Sequence, residues 1–359
     1  MRQSALCSDD DSGVCEGLRR STMATPDSEK GLSQRVHLSA VHALGPALIA
    51  LLCGAPLPAR AAETADRLVR PQLQRVGIIV PSAANPYFSR LTRGAIDRLL
   101  QLNPKAKVRT ADTAFFPTEE AKALEKMATA QVQLVLLASA CRSGCGQQIA
   151  AVREAGILVV AVDIEADGAD ATIASDNHFA GQSTCRYLAE QIGGRGKFII
   201  QNGPQVSSVI HRVEGCKEAL REYPAIELLA DSEDGLGSPW GGNMLMRAHL
   251  QRFPHIDAVF AINDRQALGA ETAALKMGRR EMLIGSVDGS PELLETLTRP
   301  GLIVVSARQD PAALGRKGIE IGSALLKGSY TGPRHILLPT PLVTRAPGAA
   351  LPSQTEIKR

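Results

Sequence analysis

The sequence predicts an α/β protein built from two parallel sheets, each covered by helices on both faces. Three observations predict it. From about residue 75 onward, short β-branched runs alternate with amphipathic stretches of helical period. The runs are apolar almost throughout, as strands buried on both faces are, rather than alternating apolar and polar. Their number is also high for one doubly wound sheet, and a chain of 359 residues has room for two domains.

Taken in order, the predicted strands cover residues 76–80, 107–109, 134–137, 158–162, 171–173, 197–200, 226–229, 258–261, 282–285 and 303–306. Predicted helices lie between most of them, over 88–102, 118–130, 146–155, 179–192, 210–222, 241–252, 265–277, 291–298 and 311–326. The alternation is disturbed once. After Val162 comes an acidic, Ala/Gly-rich stretch (DIEADGADA), then a short strand and the turn-like Ser175-Asp176-Asn177. The first crossover between the two sheets is placed there.

Composition narrows the function classes. With 44% hydrophobic and 21% charged residues, the chain has the balance of a soluble globular protein. A formal net charge of +3 without a long basic run gives no nucleic-acid footprint.

The N-terminus differs from the rest. Residues 1–34 are polar and aperiodic; Arg35 then precedes an apolar stretch over 38–52, followed by Pro56, Pro58 and Ala59-Arg60-Ala61. A positive flank, a short apolar core and small residues at −3 and −1 are the parts of a secretory signal. The stretch is shorter than the roughly 20 residues that span a bilayer. Export with cleavage after Ala61 is expected, so residues 1–61 read as an extension plus signal. Met23 is an alternative initiator, and lipidation at Cys53 is disfavoured by the bulky Leu52 before it. The tail over 347–359, with Pro, Gly and polar residues and no period, reads as disordered.

Export leaves Cys141, Cys145, Cys185 and Cys216 in an oxidising compartment, where two disulfides with three connectivities are open. A local Cys141–Cys145 bridge fits its Gly/Ser-rich loop. Cys185 and Cys216 fall on separate predicted helices and are read as singly buried. No histidine is spaced to complete a metal site with either pair, so no metal is expected.

In open parallel sheets, ligands bind beyond the carboxyl ends of the strands, where loops and helix N-termini converge. The residues at those ends are Asn85, Tyr87 and Phe88, then Asp163, Gln201 and Asn202, Asn263 and Asp264, Asp288, and Arg308 and Gln309; Arg212 lies near the start of a following helix. Carboxylates, carboxamides and a guanidinium can each make two hydrogen bonds, which suits vicinal hydroxyls. Tyr87 and Phe88 supply flat apolar faces for a ring. Singly, Asn85, Asp264 or Asp288 would be read as turn or cap residues; together, at one end of successive strands, they read as a binding site. No nucleophile elbow and no phosphate loop occur. His178, His211 and His255 stand alone, and no catalytic constellation emerges.

Seven motifs occur in order: VGIIVPSAANPYF-x4-RGA, VVAVD, IASDN-x3-G, R-x-EG, FPHIDAVFAINDRQALGA, IGSVDGSPE and RQDP-x3-G. On these the sequence resembles the periplasmic sugar-binding proteins of ABC transporters, in the ribose-binding branch of the type I binding-protein fold, over residues 74–344. The resemblance implies two lobes joined by a three-segment hinge. The N-terminal lobe would comprise 72–175 and 310–337, and the C-terminal lobe 176–309 and 338–346. It implies that Asn85, Tyr87, Phe88 and Asp163 contact a sugar from the first lobe, and Arg212, Asn263 and Asp288 from the second, with Gln309 near the hinge.

It further implies a periplasmic, monomeric, non-enzymatic protein without cofactor. Such a protein closes on a monosaccharide or polyol and delivers it to a membrane permease complex. A sensor presenting the ligand to a signalling kinase or chemoreceptor shares the fold. Two departures bear on the ligand. Ile164 stands where ribose binders follow the aspartate with arginine, and the second-lobe aromatic is displaced, with Trp240 about three residues off register.

Overall fold

The computed structural model describes residues 71–141 and 145–345. The expected signal over 1–61 and tail over 347–359 lie outside the described residues.

Two six-stranded sheets organise the chain. In the first lobe the elements run β1 (Arg75–Val80), α1 (Pro86–Leu102), β2 (Lys107–Asp112), α2 (Pro117–Thr129), β3 (Leu134–Leu137), α3 (Gly146–Glu154), β4 (Leu158–Val162) and β5 (Ala171–Ser175). The second continues with α4 (Asn177–Gln191), β6 (Arg195–Gln201), α5 (Ser207–Arg221), β7 (Ala225–Ala230), α6 (Pro239–Arg252), β8 (Ala258–Ala261), α7 (Asp264–Lys276), β9 (Leu283–Asp288), α8 (Pro291–Thr296) and β10 (Ile303–Arg308). Then come α9 (Pro311–Leu326), β11 (His335–Leu338) and β12 (Leu342–Thr344).

Strand order is β11-β5-β4-β3-β1-β2 in one sheet and β12-β10-β9-β8-β6-β7 in the other. Both therefore use the same doubly wound order. The direction of strand addition reverses between β1 and β3 in the first sheet and between β6 and β8 in the second. Loops leaving strands on either side of such a reversal splay apart and open a crevice.

Burial follows strand position. The central strands β3, β4 and β8 are apolar and almost wholly buried, whereas the edge strands β2 and β7 leave side chains in water. One apolar cluster runs over a face of each sheet and takes in Leu91 and Leu99 of α1, Leu314 and Ile319 of α9, and Leu188 and Val213 of α4 and α5. The opposite faces are covered separately. Leu124, Met127, Ile149 and Val152 pack on the first sheet, and Met246, Leu250, Ala270 and Ala273 on the second. Truncating one such buried Leu or Ile to Ala typically costs about 2–5 kcal/mol.

The chain passes between the lobes at three points: between β5 and α4, between β10 and α9, and between β11 and β12. Strand β11 pairs in parallel with β5, but β12 runs antiparallel to β10. The second sheet is thus not purely parallel, and neither of these last strands was among those predicted. Each is only 3–4 residues long and lies beside Pro339 or Pro341, so no periodicity could accumulate.

One further expectation needs correction. Cys185 and Cys216 are not single thiols but form a disulfide between α4 and α5, with Cα atoms 5.1 Å apart. Helical period had placed each on a buried face without showing that the two faces meet. Cys141 and Cys145 are also bridged. With Glu120 they make the one cluster of three potential metal ligands among the described residues. Its sulfurs are taken by the disulfide, and Glu120 accepts from the Ser139 hydroxyl at 3.0 Å and from the Ala140 N–H.

Candidate ligand-binding site

A cavity of about 350 Å³ lies between the two lobes, at the low end of the usual range for small-ligand sites. Of the eight residues read from the sequence, Asn85, Tyr87, Phe88, Asp163, Arg212, Asn263 and Asp288 line it. Gln309 sits just behind, bonded to Tyr87 and Asp288. All eight are buried.

Their positions follow from the strand exits. Asn85 caps α1, its Oδ1 accepting the Tyr87 N–H at 3.1 Å, with Pro86 supplying the fixed first helical residue. That turn sends Tyr87 and Phe88 inward, their rings edge to face with centroids 5.3 Å apart. Asp163 follows β4 directly, at φ 68°, in the left-handed region that Asp tolerates better than most residues. Asp288, the last residue of β9, also has a positive φ, 136°. Backbone strain of this kind is concentrated at ligand clamps, where surrounding structure enforces it.

Tyr87, Asp163, Gln309 and Asp288 form a row. The Tyr87 hydroxyl lies 2.5 Å from Asp163 Oδ1 and 3.1 Å from Gln309 Oε1, and Gln309 Nε2 donates to Asp288 Oδ1 at 2.7 Å. Tyr87 has one hydrogen for two acceptors, and a proton on Asp163 would complete the row. Burial raises the Asp163 carboxyl above its ordinary range, opposed by Arg212 and by the Tyr87 bond. Burial likewise pushes Asp288 up to about 7, with Arg212 opposing. Tyr87 is held well above the usual phenol value by burial and by the adjacent Asp163.

Arg212 is fixed from two sides. Nε donates to Asn177 Oδ1 at 2.8 Å, Nη1 donates to the Ile262 carbonyl at 2.8 Å, and Nη1 also lies 3.8 Å from Asp288 Oδ1. Its helix starts at Ser207, so Arg212 lies beyond the first turn rather than near the helix start, as the sequence reading had it. Helix α5 approaches α4 closely because Gly181 faces it. A Cβ on Gly181 would stand 1.9 Å from the Arg212 carbonyl oxygen.

The other strand-exit residues separate from this group. Asn263 caps α7 through Oδ1 on the Gln266 N–H at 2.9 Å and donates Nδ2 to the Gly237 carbonyl at 3.0 Å, leaving it little to offer the cavity it lines. Asp264 is fully buried and binds Ser286 and Ser306 through Oδ1, at 2.6 and 2.7 Å, and the Ser290 N–H through Oδ2. It therefore braces the tips of β9 and β10. Gln201 and Asn202 are also structural, bonding to the Gly242 and Asp231 carbonyls. Arg308 is exposed.

Several residues of the site escaped the sequence reading. Asn177, which orients Arg212 from outside the cavity, sits in the IASDN motif at a strand exit and could have been found there. Phe115, Val206, Val209, Leu236 and Ile262 carry no polar signature. Trp240 is 64% exposed at the start of α6, and Leu236 reaches the cavity in its place.

Comparisons with known proteins agree with this architecture. A family model described as "Periplasmic binding protein domain" matches residues 76–329. The chain is 27% identical over 256 residues to the ribose import binding protein of Salmonella typhimurium, covering 70% of this chain and 85% of that one. It is 26% identical over 231 residues to a xylitol-binding protein of Mycolicibacterium smegmatis, covering 63% and 65%. Among solved structures, a periplasmic solute-binding protein from Actinobacillus succinogenes with bound D-allose superposes with a TM-score of 0.70 at 22% identity, covering 76% of this chain and 98% of that one. Among the described residues no helix is long and apolar enough to cross a membrane.

Proposed function

We propose that this chain, which belongs to the periplasmic binding protein family, captures a monosaccharide or polyol between its lobes and delivers it to an ABC-type permease. The observation that carries this reading is the convergence of two buried carboxylates and a guanidinium, drawn from both lobes, on one cavity of about 350 Å³. Asp163 and Asp288 each keep one carboxylate oxygen without a protein partner among the described residues, and Arg212 keeps Nη2. Neutral polyols match such a mixed set, because each hydroxyl both donates and accepts. The ribose, xylitol and allose binding of the relatives points the same way.

Closure follows from the connectivity. The lobes of residues 72–175 with 310–337 and 176–309 with 338–346 touch through few polar bonds, among them Glu165 N–H to Ser207 Oγ at 2.8 Å. A ligand bonded to both lobes adds to these contacts and shifts the population toward the closed form that a permease would recognise. Two disulfides support export into an oxidising compartment, with cleavage of the signal after Ala61. The role is binding without cofactor or catalysis, as a monomer.

A thermal-shift screen of the mature protein against pentoses, hexoses, polyols and nucleosides tests the reading. A ligand at a thousand times its Kd should add about 4 kcal/mol of stability. Stabilisation by none of the sugars or polyols would refute it.

A further inference from the structure

The two disulfides differ in what can reach them. Cys185 and Cys216 are both sealed from solvent between α4 and α5. In the Cys141–Cys145 bridge, Cys141 is buried, but Cys145, the cap residue at the start of α3, is only half-buried. A thiolate from solution can meet the Cys145 sulfur in the folded protein, whereas the bridge between the helices stays shut until the protein opens. Attack at Cys145 leaves the electron pair of the broken bond on Cys141.

A buried thiolate is costly, but Cys141 has a carboxyl beside it. Glu120, on α2 and fully buried, has Oε1 3.7 Å from Cys141 Sγ. It takes no part in lining the ligand cavity. Glu120 accepts from the Ser139 hydroxyl at 3.0 Å and from the Ala140 N–H, and Ser139 Oγ accepts the Cys141 N–H at 3.0 Å. Burial raises the Glu120 carboxyl above its ordinary range and the Ala140 and Ser139 bonds oppose that, with no charged neighbour contributing among the described residues. The carboxyl can therefore hold a proton where the departing sulfur needs one, and two donors are in place for the charge left behind.

We propose that Cys141–Cys145 is a thiol–disulfide exchange site for external dithiols, with Cys145 the sulfur attacked, Cys141 the leaving sulfur and Glu120 the acid that protonates it. A thiolate of the dithiol bonds to Cys145 Sγ, the bond to Cys141 breaks, and the Glu120 proton passes to Cys141 Sγ. The second thiol of the dithiol then attacks its own first sulfur and departs as a cyclic disulfide. Cys145 is released as a thiolate, which the start of α3 favours. Two electrons pass from the dithiol to the bridge. The dithiol gives two protons to water, and water returns one to Cys145 and one to Glu120. This site is independent of what the cavity between the lobes binds.

Pulses of reductant on the folded mature protein, stopped with iodoacetamide and read by peptide mass spectrometry, test this. With dithiothreitol, Cys141 and Cys145 should open at least tenfold faster than Cys185 and Cys216. With glutathione, the mixed disulfide should sit on Cys145 and the alkyl group on Cys141. Glu120→Gln keeps the shape and removes the proton, so opening at acid pH should slow tenfold or more. The ratio of wild-type to variant rates should then fall toward one as pH rises and Glu120 loses its proton; a purely structural role would leave that ratio independent of pH. Ser139→Ala withdraws one donor from the Glu120 carboxylate; it should slow opening severalfold, and it decides the role of Glu120 where Glu120→Gln does not fold. Glutathione on Cys141, equal opening of the two bridges, a ratio independent of pH, or an unchanged rate in the folded variants overturns the inference and leaves the ligand reading standing.

Discussion

The hydroxyl of Tyr87 stands between Asp163 and Gln309, 2.5 Å from one carboxylate oxygen and 3.1 Å from the amide oxygen. A residue that the sequence offers as a flat stacking face thus acts through its oxygen, as the link between a first-lobe carboxylate and a crossover amide. Tyr87→Phe keeps the ring and removes the link. Leaving a buried acceptor unpaired costs about 1–3 kcal/mol. Ligand affinity, measured by calorimetry, should fall roughly tenfold or more, and the ligand-free protein should melt earlier. Unchanged affinity would show that the row does not support the site.

Asp163 should be replaced by Asn rather than Ala, because Asn also tolerates the left-handed backbone seen there. Asp163→Asn is expected to fold with a near-normal thermal midpoint and to lose about tenfold in affinity, as a charge-assisted bond becomes a neutral one about half as strong. Wild-type binding by the folded variant would remove this carboxylate from the site.

How much of this was legible in the sequence depended on what each residue leaves behind. Continuous apolar runs such as LVLL at β3 and AVFA at β8 announce buried strands, and Asp163 and Asp288 stand out as charges at strand exits. The Cys185–Cys216 bridge was hidden because it joins helices whose contact is a tertiary fact. The lining residues Val206, Val209 and Ile262 were hidden too, since aliphatic residues facing a ligand look like those facing a core. Asn263 misled in the other direction: a polar strand-exit residue whose carboxamide the fold has already engaged.

Gly181 and Arg212 give a prediction at a distance from the ligand. A methyl at Gly181 would collide with the backbone carbonyl of Arg212, which cannot turn aside as a side chain could. Gly181→Ala should destabilise the protein by about 1–3 kcal/mol through overpacking. It should also weaken ligand binding, because α5 carries the guanidinium. Urea unfolding and calorimetry read the two effects separately; an unchanged midpoint would show that the helices part without cost.

The disulfide between α4 and α5 closes a loop of 31 residues in sequence. Constraint of the unfolded chain at that length contributes about 4 kcal/mol. Cys185→Ala with Cys216→Ala should lose that amount in urea unfolding, and reductant should have no effect on the double variant at this bridge. A loss below 1 kcal/mol would contradict the assignment of a stabilising role.

Asp288 gives a pH dependence with a definite sign. Its folded value of about 7 lies above its ordinary 3.8, so the folded protein holds this proton more tightly than the unfolded chain does. The resulting stability is fully present below about pH 4 and lost as pH rises through 7, by at most about 4 kcal/mol. Unfolding of the ligand-free protein at pH 5 and pH 8 should show wild type losing stability relative to Asp288→Asn. A difference independent of pH would contradict the buried, proton-retaining carboxyl.

The central claim is that one guest is held by side chains from both lobes at once. A crystal structure of the protein with the most stabilising sugar or polyol of the screen measures this directly. The account predicts a single molecule in the cavity with oxygen atoms within hydrogen-bonding distance of Asp163 on one side and of Asp288 and Arg212 on the other. A ligand bound to one lobe alone, or outside this cavity, would contradict it.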